Sequence, residues 1–190
     1  LVRADQTPKR ILFWSAGCAT GEEAYSLAMV LSDFKKNHPW IQPRILATDI
    51  DSEALTKARA GLFPEKSAEP IPPPFLKKYF LKGVKERTGW IKARSLLKGL
   101  ITFEYFNLHK PADLSWGPFN GIFCRNVLIY FFPDSRKKIL EVFYRSLVPS
   151  GLLFLGHSEH LFDQEGSFKS LGGTIYQKVG GDNPFHADRI

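Results

Sequence analysis

The 190 residues, 44% hydrophobic and 14% aromatic, suffice for one domain with a packed core, and no apolar run reaches transmembrane length. No secretory leader is visible at Leu1-Val2-Arg3-Ala4-Asp5, and the missing initiator Met points to a fragment or a processed chain. The two cysteines, Cys18 and Cys124, are too few for a disulfide framework, lack metal-ligand spacing, and are expected to be small reduced hydrophobes. The net charge of +7 is concentrated: residues 75–99 hold eight cations against Glu86 alone, an excess equal to that of the whole chain. Such a run is either a solvated face or a docking surface for an acidic partner.

Residues 1–10 read as a polar lead-in. Residues 11–14 are a short apolar run of strand type, and residues 15–21 form a tight loop of small residues. Ala24, Leu27, Ala28, Leu31 and Phe34 then recur at helical spacing up to about residue 37. Strand, glycine loop and helix open a nucleotide-binding α/β unit. The loop ends Gly21-Glu22-Glu23 rather than Gly-Lys-Ser/Thr, and G-x-G-x-x-G is absent, so a phosphate is a poor ligand. Two carboxylates would repel a pyrophosphate and attract a cation or a sugar hydroxyl, although they also complement a helix dipole. S-adenosylmethionine, a cationic nucleoside without phosphate, fits that description.

After a loop at 38–43, residues 44–49 read as a second strand ending in Asp49, an acid placed to accept both ribose hydroxyls. Asp51 caps the helix 52–60, which Gly61 stops. The proline-rich segment 62–74 is expected to lack regular structure. A short helix over 75–80, a turn between Gly83 and Gly89 and a strand over 90–94 suggest an inserted subdomain. Residues 101–106 form a strand that ends at Asn107 and Leu108; the Asn107 amide suits either an adenine edge or a turn. Residues 119–124 are a buried strand. Arg125 and Asn126 follow it between apolar runs, where an interior polar group needs a partner, and a ligand is the favoured one. A helix opens at Pro133 and stops at Pro149-Ser150-Gly151, a strand covers 152–156, and residues 168–179 read as a hairpin before a loose tail at 180–190.

Four stretches in this order resemble the CheR family of chemotaxis protein methyltransferases: Ser15-Ala16-Gly17-Cys18-Ala19-Thr20-Gly21-Glu22-Glu23, Ala47-Thr48-Asp49-Ile50-Asp51, Phe123-Cys124-Arg125-Asn126-Val127-Leu128-Ile129-Tyr130-Phe131, and Gly151-Leu152-Leu153-Phe154-Leu155-Gly156-His157-Ser158-Glu159. The resemblance implies an α/β, Rossmann-like class I methyltransferase. One domain would span residues 1–190, built on a doubly wound seven-stranded sheet with one antiparallel strand, plus a small antiparallel β-subdomain at about 75–100. It implies S-adenosylmethionine as cofactor, S-adenosylhomocysteine as product, and glutamate side chains on chemoreceptor cytoplasmic domains as substrate, with the protein in the cytoplasm. Ala16, Gly17, Glu22, Asp49, Ile50, Asn107, Leu108, Asn126 and Val127 would hold the cofactor. Tyr130 would stand at the reaction centre, Arg125 would steer the substrate carboxylate, and Lys92 and Arg94 would dock the receptor. No metal and no nucleic acid is implied. The family carries an N-terminal helical domain before its first strand, and this chain begins at about the place where that domain ends.

A glutamate nucleophile needs no general base, so His157 and His160 read as loop or structural residues. Two rival readings are a cofactor-binding adaptor without turnover, and a methyltransferase acting on small molecules or nucleic acid. Against nucleic acid, Arg125-Asn126-Val127-Leu128 stands where an Asn-Pro-Pro-Tyr motif would be.

Overall fold

A computed structural model of the chain describes residues 8–110, 114–161 and 167–180. The expected lead-in at 1–7 and tail at 181–190 lie outside the described residues. The elements run β1 (Lys9–Ala16), α1 (Glu22–Asn37), β2 (Ile41–Asp49), α2 (Ser52–Ala60), β3 (Leu62–Pro64), α3 (Pro73–Tyr79), β4 (Phe80–Lys82), β5 (Trp90–Ala93), α4 (Ser95–Lys98), β6 (Ile101–Tyr105), β7 (Phe119–Cys124), α5 (Pro133–Ser146), β8 (Leu147–Leu155), β9 (Phe168–Ser170) and β10 (Ile175–Lys178). Among the described residues no helix is long and apolar enough to cross a membrane.

The seven-stranded sheet has the order β6-β2-β1-β7-β8-β10-β9. The ladders from β6 through β8 are parallel, and β10 runs antiparallel to both β8 and β9. From β1 the chain winds outward through β2 to β6, then returns to place β7 on the other side of β1. The carboxyl ends of β1 and β7 therefore flank the topological switch point, where a crevice opens in such sheets.

Alternation along each strand divides the core between the two faces of the sheet. On β2, Leu46 joins Trp14, Phe119, Ile122 and Phe143 on the α5 side, while Ile45 and Ala47 join Tyr25, Ala28 and Leu55 on the side of α1 and α2. Trp14 is fully buried, packs edge-on against Phe106 and Phe143, and donates its indole N–H to Thr48 Oγ at 2.9 Å, which satisfies its one polar atom. The Asp51 carboxylate accepts from the amides of Glu53 and Ala54, and Gly61 ends α2 at φ 61°.

The proline-rich segment is more ordered than its composition predicts. Pro64 closes β3, an edge strand that tolerates a missing N–H, and Pro73 and Pro74 occupy the first turn of α3, where no N–H is required. The small sheet β3-β5-β4 thus takes its first strand from residues 62–64, ahead of the expected 75–100. Its inner face, including Phe63, Phe80, Ile91 and Ala93, packs against Tyr25 and Met29 of α1, and Lys78 pairs with Asp33 across the same junction. The loop expected at 38–43 is shorter, because β2 already begins at Ile41; Pro43 lies beyond the reach of β6, which pairs only from Ile45. Likewise Pro149-Ser150-Gly151 falls inside β8, in an irregularity that sets Phe119 opposite Leu147 but Gly121 opposite Leu152.

Candidate cofactor cleft

The loop between β1 and α1 is tied to the end of β2. Gly17 N and Cys18 N both donate to Thr48 O at 2.8 and 2.9 Å, and Gly21 N donates to Cys18 O at 2.9 Å. Ala19 N donates to Asp49 Oδ2 at 2.8 Å. Four backbone donors that a phosphate loop would turn toward its ligand are therefore occupied within the protein. Gly17 sits at φ 81°, and a Cβ there would fall 2.5 Å from Val127 Cγ2. The glycine lets the residue after β7 close down on the loop after β1.

Asp49, half-buried at the end of β2, has one oxygen on Ala19 N and the other on Asp51 N at 2.9 Å. A carboxylate has about four acceptor sites, so each oxygen keeps a lone pair for a further donor. The two carboxylates of the loop diverge. Glu23 turns under β1, accepts from Ser15 Oγ at 2.6 Å and lies 3.9 Å from Arg125 Nη1; burial pushes its pKa up. Glu22 is exposed and accepts from Thr20 Oγ. Burial, followed by the charge of Asp49, pushes the Cys18 thiol up to about 12, and burial pushes Cys124 well above its ordinary value. Both thiols are free, buried and protonated, as expected of packing residues.

The segment after β7 is held rigidly. Asn126 adopts φ 59°, and residues 128–130 form a 3-10 turn. The buried Glu159 carboxylate accepts from the amides of Asn126 (2.8 Å), Val127 (2.9 Å), Ile129 (3.3 Å) and Gly156 (2.6 Å). Gly156 has no room for a Cβ, which would meet Asn126 Oδ1 at 2.4 Å. From α5, Arg136 Nε donates to the carbonyls of Leu128 and Phe131 at 2.9 and 2.8 Å. Arg125 and Asn126 are exposed at the strand tip rather than interior, so they carry no burial cost and face solvent at the crevice.

These parts enclose a cleft of about 500 Å³, within the usual range for small-ligand sites. Of the residues expected around a cofactor, Gly17, Asp49, Ile50, Asn107, Leu108, Asn126 and Val127 line it, together with Arg125 and Tyr130. Ala19, Phe106 and Phe131 complete the wall and are not flagged by the sequence. Ala16 is buried behind Gly17 and is not in the wall. Glu22 borders a separate cavity of about 150 Å³ between α1 and the small sheet. Asn107 takes the turn role: its carbonyl oxygen accepts from His109 N at 2.9 Å, and the residue also lines the cleft. Lys92 and Arg94 are exposed on the small sheet, away from the cleft wall. Glu159 carries no assigned role in the sequence reading, although it closes the fourth motif.

A doubly wound sheet with one antiparallel strand, a crevice at its switch point, a first loop with four amides bonded within the protein and an acid at the end of the second strand together point to a class, the S-adenosylmethionine-dependent methyltransferases. Within it the family is specific: the CheR methyltransferase SAM-binding domain matches residues 1–177, and the chain belongs to that family. Its cofactor is S-adenosylmethionine. The chain is 40% identical to the chemotaxis protein methyltransferase of Escherichia coli K12, over 86% of this chain and 57% of that protein. It is 39% identical to the chemotaxis protein methyltransferase of Salmonella typhimurium LT2, over 86% and 56%. It is also 38% identical to an uncharacterized 104.1 kDa protein of Rhodobacter capsulatus, over 83% of this chain but 16% of that one. The chain thus spans a little over half the length of the two chemotaxis methyltransferases.

Proposed function

We propose that this domain transfers the methyl group of S-adenosylmethionine to glutamate side chains on the cytoplasmic helices of chemoreceptors, forming methyl esters. The observation that carries the reading is the cleft chemistry. The amides of Gly17, Cys18, Ala19 and Gly21 are bonded within the protein rather than turned to a phosphate, and Asp49 offers two acceptors suited to a ribose diol. The names of the chemotaxis methyltransferases to which the chain is similar support the substrate assignment.

In this reading Asp49 holds the ribose hydroxyls and the Asn107 amide donates to the adenine ring. Ile50, Leu108 and Val127 form apolar walls, and Asn126 faces the methionine end. Glu22 takes part only if its carboxylate leaves Thr20. S-adenosylmethionine supplies an electrophilic methyl group on a sulfonium. A glutamate carboxylate, with a reference pKa of about 4.3, is already ionised near neutrality, so no residue here has to remove a proton. The work left to the protein is alignment and exclusion of water. Arg125, exposed in the cleft wall, steers the incoming carboxylate without a bidentate grip that would blunt it. Tyr130, 81% exposed at the rim, meets the substrate first. Lys92 and Arg94 of the small sheet draw in the acidic receptor.

The test is transfer of a labelled methyl group to a receptor cytoplasmic fragment, read as base-labile methanol. Label that survives base, or its absence while S-adenosylhomocysteine still binds, would replace the reading with another substrate or with a cofactor-binding adaptor.

A further inference from the structure

We propose that Glu159 is a positioning residue for the methyl-transfer end of the cleft, acting with Arg136 as a two-sided clamp on the segment 125–131. The inference rests on the functional reading above, which places the methionine end of the cofactor against Asn126 and Val127. Four N–H groups converge on the Glu159 carboxylate within 3.3 Å, three of them from this segment. Only a carboxylate, an acceptor at both oxygens, can satisfy four donors at once, and hydrogen bonds to a charged acceptor are roughly twice as strong as neutral ones. From the opposite side Arg136 holds two carbonyls of the same segment. Its amides thus face an anion and its carbonyls a cation.

This arrangement has a local consequence. Asn126 sits at φ 59°, a left-handed conformation that asparagine adopts more readily than other non-glycine residues, and its own amide is fixed there by Glu159. Glu159 does this from the tip of β8, and Gly156 leaves the space for it. The carboxylate does not line the cleft; it acts through the backbone that does. Displacement of such a segment by about 1 Å is enough to spoil a site built on it. Asp49 and Asn107 reach the cleft from the ends of β2 and β6, and their bonds run to Ala19, Asp51 and His109 rather than to Glu159 or Arg136.

The test uses calorimetric titration of the full chain with S-adenosylhomocysteine and, separately, with adenosine. In Glu159→Gln the amide nitrogen turns donors toward donors. S-adenosylhomocysteine affinity should fall about tenfold or more, while adenosine affinity stays within about twofold. Arg136→Gln, at an exposed position, should show the same split at about threefold, and it decides alone if Glu159→Gln does not fold. Unchanged S-adenosylhomocysteine affinity in these variants, or equal losses for both ligands, would overturn the clamp. A wild-type chain that binds neither ligand would instead overturn the functional reading beneath it.

Discussion

Asp49 bonds two backbone amides from different loops and keeps acceptor capacity toward the cleft. Asp49→Ala removes the diol acceptors and leaves the Ala19 and Asp51 amides without them. At about 1.5–3 kcal/mol for a hydrogen bond to a charged group, S-adenosylhomocysteine affinity should drop by roughly 100-fold, with the chain still folded by circular dichroism. Calorimetry showing full affinity would remove Asp49 from the ribose. Glu23 carries a pH signature. Burial raises its folded pKa above the ordinary 4.5, so the folded state holds the proton more tightly than the unfolded one. Stability from this group is therefore present at low pH and is lost as pH rises through the folded value. Relative to Glu23→Gln, the wild-type Tm should decline as pH climbs from 4 toward neutrality; parallel curves would contradict that. The sequence places both acids at the start of α1 but does not say which turns inward. Successive helical residues point about 100° apart, and the phase is set by the bond of Tyr25 N to Gly21 O, which Gly21 makes at φ 97°. Glu159 is hidden for a different reason: three of its partners are backbone amides at least 30 residues away, and amides leave no mark in a sequence.

At the scale of elements, the site is a junction of strand ends. The loop after β1 and the segment after β7 interlock where Val127 covers Gly17. Gly17→Ala combines strain at φ 81° with a contact of 2.5 Å, and should destabilise by about 1–3 kcal/mol. It should also lower S-adenosylhomocysteine affinity, because Val127 must retreat into the cleft; a chemical-denaturation midpoint equal to wild type would show that the junction is slack. Most elements were legible because each announces itself locally: apolar runs for β1, β2 and β7, Asp51 and Gly61 at the ends of α2, and Gly172-Gly173 in the hairpin of β9 and β10. Four of the errors share one cause. Proline at 43, 64, 73 and 149 reads as a breaker, yet each is accommodated by its context: a stretch of strand without a neighbour on one side, an edge strand, a first helical turn, an irregularity in a ladder. Such contexts are tertiary and cannot be read from neighbouring residues.

Across the whole molecule, charge and cleft are separated. The basic segment is not uniformly solvated: Lys78 is held by Asp33, Lys82 lies 2.6 Å from Glu65, and Lys98 donates to Ala60 O at 3.3 Å. Lys92 faces outward because β5 buries Ile91 and Ala93, and Arg94 follows it, also exposed. Reversal of both, Lys92→Glu with Arg94→Glu, should weaken binding of a receptor cytoplasmic fragment by roughly fivefold or more at low salt, less at high salt, and leave cofactor affinity unchanged. Equal receptor affinity in surface plasmon resonance would move the docking face elsewhere. The central claim, that the crevice between β1 and β7 holds a phosphate-free nucleoside by its ribose at one end and its amino-acid portion at the other, is tested most directly by a crystal structure with S-adenosylhomocysteine. The account predicts both ribose hydroxyls on the Asp49 carboxylate, the adenine beside Asn107 and Leu108, and the sulfur facing Asn126 and Val127. A ligand seated anywhere else, or one whose ribose leaves Asp49 untouched, would contradict it.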